Sequence, residues 1–158
     1  MITPKPRSGG RPHNACMQRL ASDPAWMAQA KIDGWRARWR DGELRSRAGM
    51  RLHQCPALIA ELQDRAAGLW IDAEITFSGS KADAQLWCFD LPGLALPLQE
   101  RLTALRQICE GGKRMRLIPC DVQWQDVERE AWEGLVFKRR ASAYPRTKIT
   151  ADWIKYRA

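Results

Sequence analysis

Apolar and basic residues alternate strictly from Trp35 to Arg40, which is the period of a half-buried β-strand. The face predicted to be buried carries the apolar residues Trp35, Ala37 and Trp39. The opposite face carries the basic residues Arg36, Arg38 and Arg40. The next two residues, Asp41-Gly42, are typical of a type I′ hairpin turn, so residues 43–47 are predicted to run back as a second strand.

The rest of the chain mixes helical and strand patterns. Helical spacing predicts helices over 56–67, 98–109 and 122–132, and allows a short one over 13–22. Short apolar runs predict strands over 26–31, 69–76, 84–91, 115–119, 134–138 and 153–156. Because the order lacks strict β-α-β alternation, it favours an α+β fold of largely antiparallel sheets flanked by helices. Residues 1–12 are predicted to be a flexible basic arm before a single domain over 13–158.

Composition is that of an ordinary globular protein, with 45% apolar and 28% charged residues. No stretch is apolar for long enough to cross a bilayer, and no signal peptide is visible. The five cysteines are widely spaced and form no C-x-x-C pair, which argues against a disulfide framework or a zinc site. We therefore expect a cytoplasmic protein without a membrane partner.

The net charge of +8 is distributed unevenly along the chain. Residues 1–53 have a balance of +7, residues 54–132 of −4 and residues 133–158 of +5. Basic segments at both ends favour nucleic acid as a partner, because neutralising phosphates releases their counterions. A solvated surface explains the same charge equally well, so charge alone leaves both interpretations open.

Five short segments carry the candidate chemistry. They are Lys31-Ile-Asp-Gly-Trp-Arg36, Ser46-Arg-Ala-Gly49, Ile71-Asp-Ala-Glu-Ile75, Glu133-Gly-Leu-Val-Phe-Lys138 and Trp153-Ile-Lys-Tyr-Arg157. A sixth, Trp87-Cys-Phe-Asp-Leu-Pro92, lies between the third and the fourth. The first pattern alone, K-x-D-G-x-R, occurs by chance in roughly one chain in five hundred of this length. With E-G-x-V-x-K and W-x-K-x-R following in order, coincidence is a poor explanation.

In this order the segments resemble the nucleotidyltransferase motifs of the ATP-dependent DNA ligases, from Lys31 to Arg157. The resemblance implies an adenylation domain with an ATP-grasp-like fold that seals 5′-phosphate/3′-hydroxyl nicks in duplex DNA, as in repair and replication. It implies that Lys31 takes AMP from ATP as a covalent lysyl-AMP. A free lysine has a pKa near ~10.4, so the site has to favour its neutral amine. Cations nearby do so by repulsion, and the resemblance offers Lys138, Lys155 and Arg157.

The resemblance also implies a divalent metal and two glutamates. Glu74 is implied to hold the ribose hydroxyls and to serve the metal, and Glu133 to bind the metal. Mg²⁺ is expected, because it suits carboxylate ligands and triphosphate substrates. In strands, both glutamates could instead be exposed partners of arginine. Asp72 shares the predicted face of Glu74 and ranks below it as a candidate.

The other motif residues are assigned to the nucleotide and to DNA. Phe89 resembles the aromatic residue that stacks on adenine, although a core role is equally expected for it. Arg36 and Arg47 resemble the arginines that contact the AMP sugar and the phosphates, including the 5′-phosphate at the nick. The remaining nucleotide-binding candidates are Lys138, Lys155 and Arg157. The candidates for contacts with the DNA backbone are Arg36, Arg38, Arg47, Arg139 and Arg140.

Ligases of this kind continue beyond the W-x-K-x-K/R strand into an OB-fold domain. We expect that domain to be absent here, a partner protein or a second domain in trans to replace it, and the chain to be a monomer. Two other functions remain open: an RNA ligase or capping-type nucleotidyltransferase, and a non-catalytic DNA-binding remnant. The presence of Lys31, Glu74, Glu133 and Lys155 together argues against the remnant.

Overall fold

A computed structural model describes residues 7–8, 15–146 and 150–158. Residue contacts divide the chain into two compact units, which we call the first unit (Met1–Asp33 with Pro119–Ala158) and the second unit (Gly34–Ile118). Apart from Arg7–Ser8, the predicted basic arm over 1–12 lies outside the described residues. The limits of the single predicted domain stay a prediction.

The elements alternate irregularly between strand and helix. In chain order they are β1 (Arg7–Ser8), α1 (Ala15–Ser22), β2 (Trp26–Lys31), β3 (Trp35–Arg40), β4 (Glu43–Ser46), α2 (Pro56–Arg65), β5 (Ile71–Ser78), β6 (Ser80–Asp90), α3 (Leu98–Cys109), β7 (Met115–Leu117), α4 (Trp124–Glu130), β8 (Gly134–Arg139) and β9 (Trp153–Arg157).

Each unit is built on one sheet. The first unit contains a four-stranded sheet in the order β1-β9-β8-β2, and the second unit a five-stranded sheet in the order β4-β3-β5-β6-β7. Neighbouring strands are antiparallel except for two parallel pairs, β1 with β9 and β6 with β7. The predicted α+β fold of largely antiparallel sheets flanked by helices is confirmed.

The core of the first unit lies on one face of its sheet. The strands contribute the buried residues Trp26, Ala28, Leu135, Phe137 and Tyr156. Helices α1 and α4 cover them with Met17, Leu20, Trp124 and Val127. Because side chains of a strand alternate between faces, the residues between these core positions point to the opposite face. That opposite face carries Lys31, Lys138, Lys155 and Arg157.

The core of the second unit follows the same rule. Its buried strand residues include Ala37, Trp39, Ile71, Ala73, Ile75, Leu86 and Cys88. Buried leucines of α2 and α3 complete the core: Leu58, Leu62, Leu98, Leu102 and Leu105. Trp39 also satisfies its indole N–H, which donates to the carbonyl of Ala66 at 2.9 Å. The opposite face again carries the polar motif residues, among them Arg36, Asp72 and Glu74.

The predicted hairpin is confirmed, but the prediction that Trp35 is buried is wrong. Asp41 and Gly42 have φ values of 54° and 75°, as a type I′ turn requires. Trp35, predicted to be buried with Ala37 and Trp39, is 54% exposed. It is the first residue of β3, and its ring meets Phe77 edge-on at 5.4 Å. Alternation gives the face of a strand but not the point along it where the covering layer ends.

Candidate active site

The predicted nucleophile lies at the end of a strand, on the sheet face of the first unit that is opposite to α1 and α4. Lys31 is the last residue of β2 and pairs with Gly134 of β8. Its side chain is 13% exposed and forms an ion pair with the carboxylate of Glu133, the predicted metal ligand of this unit. The backbone N–H of Glu133 donates to the carbonyl of Lys31 at 2.8 Å, so backbone and side chain both join the two motifs.

Glu133 is held by a second cation. Its Oε1 lies 3.0 Å from Nε of Arg157, while Oε2 faces Nζ of Lys31. The carbonyl of Glu133 accepts from the backbone N–H of Ala158 at 3.0 Å. The first motif, the E-G motif and the W-x-K-x-R motif therefore meet at one carboxylate.

Gly134 explains why glycine follows the glutamate. Its φ is 148°, and a Cβ at this position would lie 2.0 Å from the carbonyl oxygen of Tyr156. A side chain here would therefore push β9 away from β8. The glycine brings Arg157, its register partner on β9, beside Glu133.

Two further lysines lie on the same sheet face as Lys31. Lys138 is 2% exposed, and its Nζ lies 4.0 Å from the centre of the Trp153 ring, a cation–π contact. Lys155 is half-buried opposite Val136. The strand register places both lysines and Arg157 on the same face, which confirms the alternation that the W-x-K-x-R spacing predicts.

In the second unit, Arg36 is fixed by a buried carboxylate. Its Nε donates to Oδ1 of Asp72 at 2.7 Å, and a second guanidinium nitrogen pairs with Oδ2. Asp72 is fully buried. The guanidinium carbon also lies 4.3 Å from the centre of the Phe89 ring. Sequence reasoning ranked Asp72 below Glu74; the signal for its role was the diagonal cross-strand position relative to Arg36 on one sheet face.

Glu74 lies on β5 directly opposite Arg36 and is half-buried. Gly34, the glycine of K-x-D-G-x-R, precedes β3 where no side chain fits, because a Cβ would meet the carbonyl oxygen of Ile75 at 2.5 Å. This glycine lets the chain enter β3 close against β5. The register that sets Arg36 beside Glu74 thus depends on the motif glycine.

A second buried ion pair, which sequence reasoning missed, supports Phe89. Asp90 and Arg101 are both fully buried, with Arg101 Nε 2.6 Å from Oδ1 and another guanidinium nitrogen 3.1 Å from Oδ2. The register of β5 and β6 shifts beside these residues, so that Phe89 is an extra residue on β6. Phe89 is 6% exposed. The resemblance assigned a role to Phe89 of the F-D-x-P pattern, whereas the structure shows a contact of its aspartate, Asp90, with Arg101 of α3.

The candidate DNA-contact arginines lie in different settings. Arg47 is exposed in the turn after β4, and its backbone N–H donates to the carbonyl of Arg36 at 3.0 Å. Arg38 is half-buried on β3. Arg139 donates to Asp152 at 2.9 Å and covers the Trp26 ring. Arg140 pairs with Asp121 and donates to the carbonyl of Pro24 at 3.2 Å. The last two arginines therefore already serve intramolecular contacts.

The described residues fit Mg²⁺ only as a metal shared with a substrate. Within residues 15–146 and 150–158, no group of three or more His, Cys, Asp or Glu side chains is arranged to hold a metal ion. Mg²⁺ keeps several waters and takes one or two carboxylates together with substrate phosphates, so a lone glutamate such as Glu133 suffices.

No helix of the described part of the chain is long and apolar enough to cross a membrane.

Solved structures that are similar in fold to this chain include DNA ligases and an RNA ligase. A Lig E DNA ligase, studied for DNA binding with a minimal scaffold, is 20% identical with a TM-score of 0.75, and the match covers 100% of this chain and 69% of that one. The ligase domain of M. tuberculosis LigD is 25% identical with a TM-score of 0.66, and 82% and 52% are covered. An archaeal ATP-dependent RNA ligase is 15% identical with a TM-score of 0.65, and 99% and 48% are covered.

The chain thus spans between about half and about two thirds of the length of these structures. No protein-family model and no curated protein matches it. The resemblance to the DNA ligase nucleotidyltransferase domain that the motifs predicted is confirmed as a likeness of fold.

Proposed function

We propose that this chain is an ATP-dependent DNA ligase that seals nicks through a lysyl-AMP on Lys31. The observation that carries the proposal is the ion pair of Lys31 with Glu133, on a sheet face that also holds Lys138, Lys155 and Arg157. On this face Lys31 would supply the nucleophile, Glu133 a metal ligand, and Lys138 and Lys155 partners for phosphate.

In the first step the neutral amine of Lys31 attacks the α-phosphorus of ATP. A nitrogen–phosphorus bond forms, the bond to the bridging oxygen breaks, pyrophosphate leaves with the electron pair, and the nitrogen releases its proton to water. The ion pair with Glu133 favours the ammonium form, which has no lone pair, so the pair has to open before attack. Lys138 lies opposite Met27, about 13 Å along the strand from Lys31, so Lys155 is the cation of this face proposed to favour the neutral form.

The later steps pass AMP to the nick. A 5′-phosphate oxygen attacks the phosphorus of lysyl-AMP, the nitrogen–phosphorus bond breaks, and Lys31 takes up a proton. The 3′-hydroxyl then attacks the activated 5′-phosphorus, loses its proton and displaces AMP. Both are displacements at phosphorus, in which positioned cations stabilise the charge on the oxygens.

The second unit is proposed to bind the rest of the nucleotide and the nick phosphate. Glu74 would accept hydrogen bonds from the ribose hydroxyls, and Phe89 would offer its ring to adenine. Asp72 holds Arg36 through Nε and one terminal nitrogen, which pre-orders the guanidinium for contact with phosphate. Arg47, exposed in its turn, is available to the 5′-phosphate.

Mg²⁺ would be held by Glu133, with Glu74 as a second candidate, together with the phosphates of ATP. When bound, it would neutralise charge that develops on the phosphate oxygens. The expected polynucleotide is nicked duplex DNA, because the Lig E structure belongs to a DNA ligase and the chain has a net charge of +8. An RNA ligase is the second candidate, favoured by the archaeal structure of the same fold.

The test is intact mass after incubation with ATP and Mg²⁺, followed by sealing of a nicked DNA duplex. We expect one AMP adduct on the wild type and none on Lys31→Ala, with unchanged thermal unfolding, because Lys31 lies at a strand end outside the core. Lys81→Ala is the matched control, since Lys81 is an exposed lysine of β6, and it should keep the adduct.

An adduct that persists in Lys31→Ala would contradict the assignment of the nucleophile. An adduct formed from GTP in preference to ATP would indicate a capping-type enzyme. Sealing of a nick with RNA strands in preference to DNA would indicate the second candidate.

A further inference from the structure

Glu133 is held by two cations that differ in what the proposed reaction does to them. Its Oε2 faces Lys31 Nζ, and its Oε1 lies 3.0 Å from Arg157 Nε. Once Lys31 carries AMP, its nitrogen has no positive charge and no longer attracts the carboxylate, and the attached phosphate is an anion. Arg157 keeps its charge throughout, because a guanidinium is not deprotonated in proteins.

We propose that Arg157 is a positioning residue that holds Glu133 in place while Lys31 gains and loses its charge, and that it is not a ligand of the α-phosphate. The inference rests on the proposed function. It departs from the resemblance, which implied that Arg157 binds the nucleotide as Lys155 does.

The backbone around Glu133 is built for this contact. Gly134 lacks the Cβ that would strike the Tyr156 carbonyl oxygen at 2.0 Å, so β9 runs close beside the start of β8. Arg157 is the register partner of Gly134, and the N–H of Ala158 donates to the Glu133 carbonyl at 3.0 Å. The backbone is thus fixed at Glu133 itself and at the residue that follows it.

Arg157 and Lys155 occupy different positions on the same strand face. Lys155 lies opposite Val136 and is half-buried, whereas the Arg157 side chain is 66% exposed at the end of the strand. They are two positions apart, with one residue between them, which is about 7 Å along a strand. An ion pair this exposed contributes little to folding, so replacing Arg157 leaves a folded protein in which its role can be measured.

The first measurement is ATP affinity without turnover, by calorimetric titration of Lys31→Ala protein in the presence of Mg²⁺. Adding Arg157→Gln should leave the dissociation constant unchanged within about twofold, because no phosphate contact is removed. Adding Lys155→Gln, the matched control, should weaken ATP binding by about tenfold or more, since a charge-assisted contact is removed.

The second measurement is the single-turnover rate of AMP adduct formation with Lys31 intact. Arg157→Gln should slow the rate at saturating ATP by roughly 10- to 100-fold, with the half-saturating ATP concentration unchanged. In a Glu133→Gln background the same change should have no further effect, because residues that act through one group are not additive. Arg157→Lys should restore much of the rate, since an ammonium can also pair with Glu133.

Weaker ATP binding in the Arg157→Gln variant, or equal losses with and without Glu133, would overturn the inference in favour of a phosphate ligand. An unchanged adduct rate in Arg157→Gln would overturn it as well. Failure of the wild type to form any adduct would instead contradict the proposed function. The calorimetric comparison of Arg157→Gln with Lys155→Gln separates a loss of ATP binding from a loss of chemistry.

Discussion

Each sheet carries an ion pair on the face opposite its main core, but the two pairs differ in burial. In the first unit the side chain of Glu133 is 27% exposed and pairs with two cations. The side chain of Lys31 is 13% exposed and that of Arg157 is 66% exposed. In the second unit Asp72 is fully buried beneath an Arg36 that is 17% exposed. A pair whose carboxylate solvent still reaches rearranges more readily than a pair with a fully buried carboxylate, for which the loss of either partner costs several kcal/mol.

This difference suits the proposed chemistry. A nucleophile that has to lose and regain charge needs a partner it can leave, as Lys31 can leave Glu133. An arginine that has to receive a phosphate in one orientation needs a partner it cannot leave, as Arg36 has in Asp72. The second unit repeats the buried device with Asp90 and Arg101, beside the residue proposed for adenine.

The largest effect is expected from breaking the deepest pair. Arg101→Met leaves the Asp90 carboxylate buried without its partner, which should lower the free energy of unfolding by about 3–5 kcal/mol. Arg106→Met, at an exposed position of the same helix, should change it by no more than about 0.5 kcal/mol. Urea unfolding followed by tryptophan fluorescence measures both, and similar values for the two variants would contradict the contrast in burial.

The next effect concerns the exposed pair and should appear in rate instead of stability. Glu133→Gln removes the charge that faces Lys31 and the proposed metal, which should slow adduct formation by roughly 10²–10³-fold. The free energy of unfolding should fall by less than about 1 kcal/mol, because the pair is partly exposed. Glu130→Gln, an exposed glutamate of α4, is the control for both measurements. A large loss of stability would place Glu133 with the buried pairs.

The sequence predicted the nucleophile face better than the arginine face. Lys31, Glu133 and Arg157 stand in motifs that meet in the structure, although the contact of Arg157 with a carboxylate was not predicted and the roles of all three stay predictions. The partner of Arg36 was ranked low, because Asp72 is 36 residues away and alternation specifies a face without specifying a neighbour. The sequence predicts the helix over 98–109 but not the burial of Arg101, since periodicity does not distinguish a buried, paired arginine from a solvated one. The prediction that Trp35 is buried was wrong for a similar reason, because β3 begins before the layer that packs on it.

The smallest effect is expected at the proposed DNA contacts, where the same question of existing partners applies. Arg47 lies exposed in its turn, whereas Arg139 is held by Asp152 and the Trp26 ring. If Arg47 contacts a phosphate, Arg47→Gln should flatten the slope of log affinity against log salt by about one unit. Arg139→Gln should change that slope by less than about half a unit, because a phosphate would have to displace Asp152. Fluorescence anisotropy of a labelled nicked duplex over a salt series gives both slopes. A larger change at Arg139 than at Arg47 would show that this ion pair opens for DNA, as the pair of Lys31 with Glu133 has to open for ATP.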